Sequence, residues 1–242
     1  MRKFIAAAAV AAAATATGAC GHVDNDDGPS VSRNFAVGNF QQIEVAGPYN
    51  VDVRTGANAS VSAQGSQKLL DRTVVEVQGD RLVIHPQEHH NFFNFSFGSR
   101  SSAHFTVTVP QLTGATIAGS GGIKVNHVQG ATFEGTVAGS GGLDVDNVDV
   151  QSLKLSIGGS GSAKAAGGKA TSADYSIGGS GDIEAGAVQT QQAKVSIAGS
   201  GSIAANATTT ADVSIMGSGD VTVAGGAKCT VNKAGSGSVK CS

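Results

Sequence analysis

Along residues 111–242, apolar and polar positions alternate in short arms on either side of a recurring Gly-Ser-Gly. The tripeptide stands at Gly119-Ser120-Gly121, Gly139-Ser140-Gly141, Gly159-Ser160-Gly161, Gly179-Ser180-Gly181, Gly199-Ser200-Gly201, Gly217-Ser218-Gly219 and Gly235-Ser236-Gly237. The serine-to-serine steps are 20, 20, 20, 20, 18 and 18 residues. Three positions before the serine come Ile117, Val137, Ile157, Ile177, Ile197 and Ile215; three after it come Ile123, Leu143, Ala163, Ile183, Ile203, Val221 and Val239. A period of two is that of a strand with one buried face, and a fixed spacing over many copies marks a repeat architecture. Glycine reaches the positive φ of a sharp bend and leaves no Cβ where backbones crowd. The pattern predicts an all-β chain, a single-stranded parallel β-helix of about seven Gly-Ser-Gly coils of 18–20 residues, with the serines in single file.

The polar positions support stacking. Four residues after the serine the chain reads Lys124, Asp144, Lys164, Glu184; six before it, Glu134, Lys154, Asp174, Lys194, Asp212. Coils stacked at about 4.8 Å would place each charge between opposite neighbours. An antiparallel meander would also pair some of these charges, but its short strands would leave the apolar face open. A membrane barrel needs strands of about 9–11 residues and aromatic girdles, whereas the repeats hold only Phe133 and Tyr175 as aromatics.

Ahead of the coils, residues 31–110 form a β-rich part without the repeat. Strands are expected around Phe35–Val37, Gln42–Val45, Tyr49–Arg54, Ser60–Ala63, Val74–Val77, Leu82–Ile84 and Phe105–Val109, separated by Gly47-Pro48, Thr55–Asn58 and Gln78–Asp80. This part is expected to cover the first coil, because an open strand edge invites aggregation. All four prolines (Pro29, Pro48, Pro86, Pro110) precede the repeats. Within it lies a segment with Phe92, Phe93, Phe95 and Phe97. These four side chains are either a hydrophobic lid over the first coil or a contact patch for a partner. His85, Glu88, His89 and His90 lack a familiar ligand spacing, so no metal and no cofactor is expected.

The chain's ends carry their own signals. Arg2 and Lys3, an apolar run from Phe4 to Ala14, and Thr17-Gly18-Ala19-Cys20 make residues 1–20 a signal peptide. Its last four residues resemble a lipobox, with Cys20 as the lipidated N-terminus; the alternative is ordinary cleavage after Ala19. Residues 21–30 are a flexible tether. Three cysteines occur in all. Cys229 and Cys241 stand on opposite arms of the last coil and can pair with each other, leaving Cys20 without a partner. A disulfide requires an oxidising compartment, in agreement with a signal. A net charge of −2 suggests neither nucleic acid nor an anionic membrane surface as partner.

Taken together, Phe40-Gln-Gln-Ile-Glu-Val-Ala-Gly-Pro-Tyr-Asn-Val-Asp-Val53, Gly79-Asp-Arg-Leu-Val-Ile84, Val107-Thr-Val-Pro110 leading into Ala118-Gly-Ser-Gly121, and Cys229 with Gly235-Ser-Gly-Ser-Val-Lys-Cys241 resemble the bacterial putative auto-transporter adhesin head domain family of the GIN type. The resemblance implies a β-helical envelope protein, often a lipoprotein. The expected function is a non-enzymatic cell-envelope lipoprotein, an adhesin-like binding or structural module, exported and lipid-anchored to the outer membrane. Its partner is expected to be an envelope glycan or protein, with the membrane touched through the lipid anchor only. The alternative is a polysaccharide-active β-helix enzyme. That chemistry needs paired carboxylates or a calcium site with a basic residue, and in the coils the acids alternate with lysines.

The Cys20 reading is testable directly. Cys20→Ala should release the protein from membrane fractions or block its maturation. Unchanged membrane association with an ordinary signal-peptidase N-terminus would show the anchor reading to be wrong.

Overall fold

A computed structural model describes residues 29–87 and 103–242. The chain runs β1 (Ser30–Phe35), β2 (Gln42–Ala46), β3 (Asn50–Thr55), β4 (Ser60–Ser66), α1 (Gln67–Asp71), β5 (Thr73–Gln78), β6 (Arg81–Pro86) and β7 (His104–Val109). The repeats follow as β8 (Gly114–Gly119), β9 (Gly122–Gly139), β10 (Gly142–Gly159), β11 (Ser162–Ala165), β12 (Gly168–Gly179) and β13 (Asp182–Glu184). They end with β14 (Val188–Gly199), β15 (Ser202–Gly217), β16 (Asp220–Ala224), β17 (Lys228–Gly235) and β18 (Ser238–Cys241).

Every pairing within the repeats is parallel and joins equivalent residues of successive coils: Ile157 lies against Val137 and Ile177, and Leu143 against Ile123 and Ala163. The parallel β-helix expected from the spacing is the observed fold. The arm before each serine makes one face of the solenoid and the arm after it a second. A shorter third face comes from residues such as Val148–Val150, which pair with Val128–Gly130 and Gly168–Ala170.

Backbone geometry at the bend explains the repeated glycines. Ser140, Ser160, Ser180 and Ser200 each donate their backbone N–H to the carbonyl of the preceding coil's first glycine, at 2.8–2.9 Å. Gly159 has φ +128°, and a Cβ there would stand 2.5 Å from Gly139 O. Gly161 has ordinary φ, yet its Cβ would meet Gly141 O at 2.5 Å and Val137 at 2.6 Å. One glycine is thus required by conformation and the other by crowding.

The core is a set of ladders filled by volume compensation. Phe133 is fully buried, and Gly135 beside it leaves the space that Leu143 and Leu155 enter, since a Cβ there would lie 2.4 and 2.8 Å from them. Tyr175 is also fully buried, in a coil whose other inward residues include Ala163, Ala165, Ala170 and Ala173. Its hydroxyl has no partner, and burial pushes its ionisation well above the ordinary tyrosine range.

The N-terminal part departs from a separate covering sheet. β2 and β3 stack in parallel on β8 and β9, with Val45 against Ile117 and Val51 against Ile123. Gly47 sits beneath Gly119, accepting a hydrogen bond from Gly121 N at 3.0 Å. Residues 42–55 are therefore a coil, with Gly47-Pro48-Tyr49 in place of Gly-Ser-Gly. β6 and β7 make another coil on the far side, pairing in parallel with β2 and β3. Stacking order thus differs from chain order: β6 and β7 are outermost, β2 and β3 lie next, and β8 with the start of β9 follows. The strand expected at Phe35 lies earlier, at Ser30–Phe35. The helix α1, absent from the sequence reading, is one short turn capped by Ser66 Oγ, which accepts from Leu69 N at 3.2 Å. Antiparallel partners finish this end: β5 on β6, β4 on β7 and β1 on β4.

At the other end, Cys229 and Cys241 form a disulfide across two arms of the last coil. The core rows lose their cover there: Cys229 and Val239 are half-buried, and Val231 is 44% exposed. Lys233 stands in line with Ile215 and donates from Nζ to Gly237 O at 2.7 Å.

Two outcomes follow from this packing. Gly158 has open space around its missing Cβ and no positive φ, so Gly158→Ala should leave the urea midpoint unchanged or raise stability by about 0.4–1 kcal/mol. Gly159→Ala, one residue on, should cost at least about 1–3 kcal/mol. Equal effects at the two positions would refute the bend geometry. For the disulfide, Cys229→Ala with Cys241→Ala should speed hydrogen exchange in residues 225–242 only, with amides around Ile157 and Ile177 staying slow. Stability in a stacked repeat passes between nearest neighbours, so global unfolding would contradict a local capping role.

Candidate binding face

The arms before the serines hold three outward rows on one parallel sheet. The first, six before the serine, is Glu134, Lys154, Asp174, Lys194 and Asp212, in register. Lys154 Nζ donates to Glu134 Oε1 at 2.7 Å, and that hydrogen bond, then the carboxylate's charge, holds the ammonium above its usual ionisation range. Because charges alternate down the row, its field is short-ranged.

The second row is the hydroxyl file read from the sequence: Thr116, Thr136, Ser156, Ser176, Ser196, Ser214 and Asn232 stand in one register. Its first five members are half-buried, because neighbours on both sides of a mid-strand position shade a short side chain. Ser176 Oγ donates to Ser156 Oγ at 3.1 Å. The third row is Ala118, Ala138, Gly158, Gly178, Ala198, Met216 and Ala234. Met216, at 65% exposure, is the side chain that stands out of it. Sequence reading passed over this row, although its lack of any side chain longer than alanine before Met216 was visible in the spacing. Toward the N-terminal end the file meets Glu44, which receives a hydrogen bond from Arg81 at 2.9 Å. A polar-and-methyl strip without net charge is therefore bounded by charged groups.

The arms after the serines are different. Lys164 is 3.0 Å from Glu184, whose hydrogen bond and charge raise the lysine's ionisation. Lys124 contacts Asp146 at 3.7 Å rather than Asp144, its register partner, so this ladder is less regular than the sequence suggests. Lys124, Asp144, Asp146 and Lys164 line a shallow depression of about 340 Å³ with Val145 and Ala166. Asp182 accepts from Ser202 Oγ, and Asp220 accepts from Ser238 Oγ at 2.5 Å and from Ser238 N at 3.1 Å.

Of the other residues singled out by sequence, Cys229 and Cys241 are joined as described. Cys20 and the Phe92, Phe93, Phe95 and Phe97 group lie outside the described residues. In the sequence the Phe-bearing segment falls between β6 and β7. His85 Nδ1 is 2.9 Å from Pro86 O, and its Nε2 is 3.7 Å from Glu76. Among the described residues, no three His, Cys, Asp or Glu side chains gather as metal ligands, and no helix is long and apolar enough to cross a membrane.

Comparisons with known proteins agree with this architecture. A putative adhesin from Bacteroides fragilis NCTC 9343 superposes with a TM-score of 0.78 at 24% identity, covering 88% of this chain and 97% of its own. A protein described as a putative lipid binding protein, from Parabacteroides distasonis ATCC 8503, gives 0.68 at 24% identity, over 89% and 97%. A putative adhesin from Parabacteroides merdae ATCC 43184 gives 0.62 at 19% identity, over 89% and 97%. No curated protein matches the sequence. The family described as putative auto-transporter adhesin, head GIN domain, matches residues 39–227, and the chain belongs to that family.

Proposed function

We propose that this protein is a non-enzymatic binding module of the bacterial cell envelope. In this reading it is held at the outer membrane by a lipid on Cys20 and presents the face before the serines to an extended, uncharged glycan or peptide. The observation that carries the reading is the three-row register on that face: hydroxyls beside methyl groups and hydrogens, repeated coil after coil, with the adjoining charges neutralised in place. Such a surface lets a flat polymer approach closely, offers it hydrogen bonds at regular intervals, and exerts no long-range pull on ions. The family and the adhesin-named structural relatives support an exported envelope protein of adhesin type.

Chemistry on the polymer has little support from the described faces. Hydrolysis of a glycosidic bond needs two carboxylates about 5–9.5 Å apart across the bond, whereas Glu134, Asp149 and Glu184 each contact a lysine of an adjacent coil.

A glycan array and an envelope pull-down with the mature chain test the proposal. Ser156→Arg with Ser176→Arg should abolish the retained binding while leaving the thermal midpoint within a few degrees of the parent. Binding that survives both substitutions, or turnover of a bound glycan, would overturn it.

A further inference from the structure

We infer that the last coil is a charged stop that prevents a second copy of this chain from stacking on the end of the solenoid. Among the described residues β17 and β18 pair only with β15 and β16. One side of each strand therefore offers free N–H and C=O groups, which template another strand. Under that edge the core is open. Val231 continues the row of Leu155, Tyr175, Val195 and Val213, each at most 1% exposed, yet is itself 44% exposed. The same edge of a second copy, turned about a two-fold axis, would give each chain an identical patch to cover.

Charge opposes that union. Lys233 occupies the row that in other coils is Val137, Ile157, Ile177, Ile197 and Ile215. Its ammonium spans the bend to Gly237 O at 2.7 Å. Lys228 and Lys240 flank it on the two arms, and no Asp or Glu follows Asp220. Earlier coils neutralise their lysines: Lys154 lies between Glu134 and Asp174, and Lys164 between Asp144 and Glu184. The last coil abandons that rule where an exposed edge begins. Two such ends face to face would set three lysines against three. Like charges directly opposite destabilise strand pairing, and an ammonium buried there without a carboxylate is strongly disfavoured. The opposite end carries no equivalent lysine in its core rows because β5, β4 and β1 cover it with antiparallel strands.

Sedimentation velocity on the mature chain, at about 0.1 M and about 1 M salt, where the screening length falls from about 10 Å to 3 Å, tests the inference. The parent should be monomeric at low salt and associate weakly at high salt. Lys233→Ile should dimerise at low salt at least tenfold more tightly than the parent, whereas Lys233→Arg should behave as the parent. Lys233→Gln carries the same expectation in smaller degree, should the isoleucine variant fold poorly. Adding Val231→Lys to Lys233→Ile should restore the monomer, which association through misfolding would not do. Parent-like mass for both uncharged variants at both salts, or a dimer that persists with Val231→Lys, would overturn the inference.

Discussion

Backbone lies close against backbone at the bend, and the rest of the fold follows from that contact. The carbonyls of Gly119, Gly139, Gly159, Gly179 and Gly199 each accept from the next serine N–H, and the space a Cβ would need at the glycine above is taken by that oxygen. That contact sets the vertical spacing and the register together. Once the bend is in register, inward side chains of successive coils must superpose, and so must the outward ones. The apolar ladders, the alternating charges and the hydroxyl file are three readouts of one constraint. A core stacked in rows also couples volumes locally. Phe133 and Tyr175 are accommodated by glycine and alanine nearby, because a large ring cannot displace a neighbouring coil that the bends hold at fixed height.

Much of this was legible in the chain because a repeat writes the same instruction many times. The parallel stacking, the inward rows, the bend and the Cys229–Cys241 pairing could be read from spacing. The reading failed where the instruction occurs once. Residues 42–55 are a coil, but Pro48 and Tyr49 replace the serine and second glycine, and the signal disappears with them. Tyr49 is fully buried at that position. Its ring packs edge-on to Phe105, and its hydroxyl accepts from Thr73 Oγ1 at 3.1 Å. The permuted order of the first coils was invisible for a different reason: periodicity reports which residues face inward but not which coil lies on which. For the binding face, the hydroxyl row was legible as spacing. The neighbouring row of glycine and alanine had to be seen in register.

The two ends of the solenoid solve one problem by unlike means. At the N-terminal end the chain reverses direction and covers the parallel stack with antiparallel strands, tied by Arg33 to Asp71 at 2.5 Å and to Leu70 O at 3.1 Å. At the C-terminal end it remains parallel to the last residue of β18 and relies on a covalent tie and lysines. The first arrangement buries area, whereas the second spends few residues and leaves the edge in water.

The permuted N-terminal order also bears on how the chain reaches its fold in time. β2 and β3 are sandwiched between a coil that ends at Val109 and one that begins at Gly114, and Thr113 Oγ1 donates to Gln41 O across 72 residues. A chain that lengthens from its N-terminus therefore cannot complete its first coil until more than a hundred residues have emerged, so the slow, non-local closure comes at the start. Every later coil then adds about 20 residues onto a finished template, with its partners already in place. Contact topology thus sets the N-terminal coils apart as the non-local part of the fold and makes each later coil a local addition.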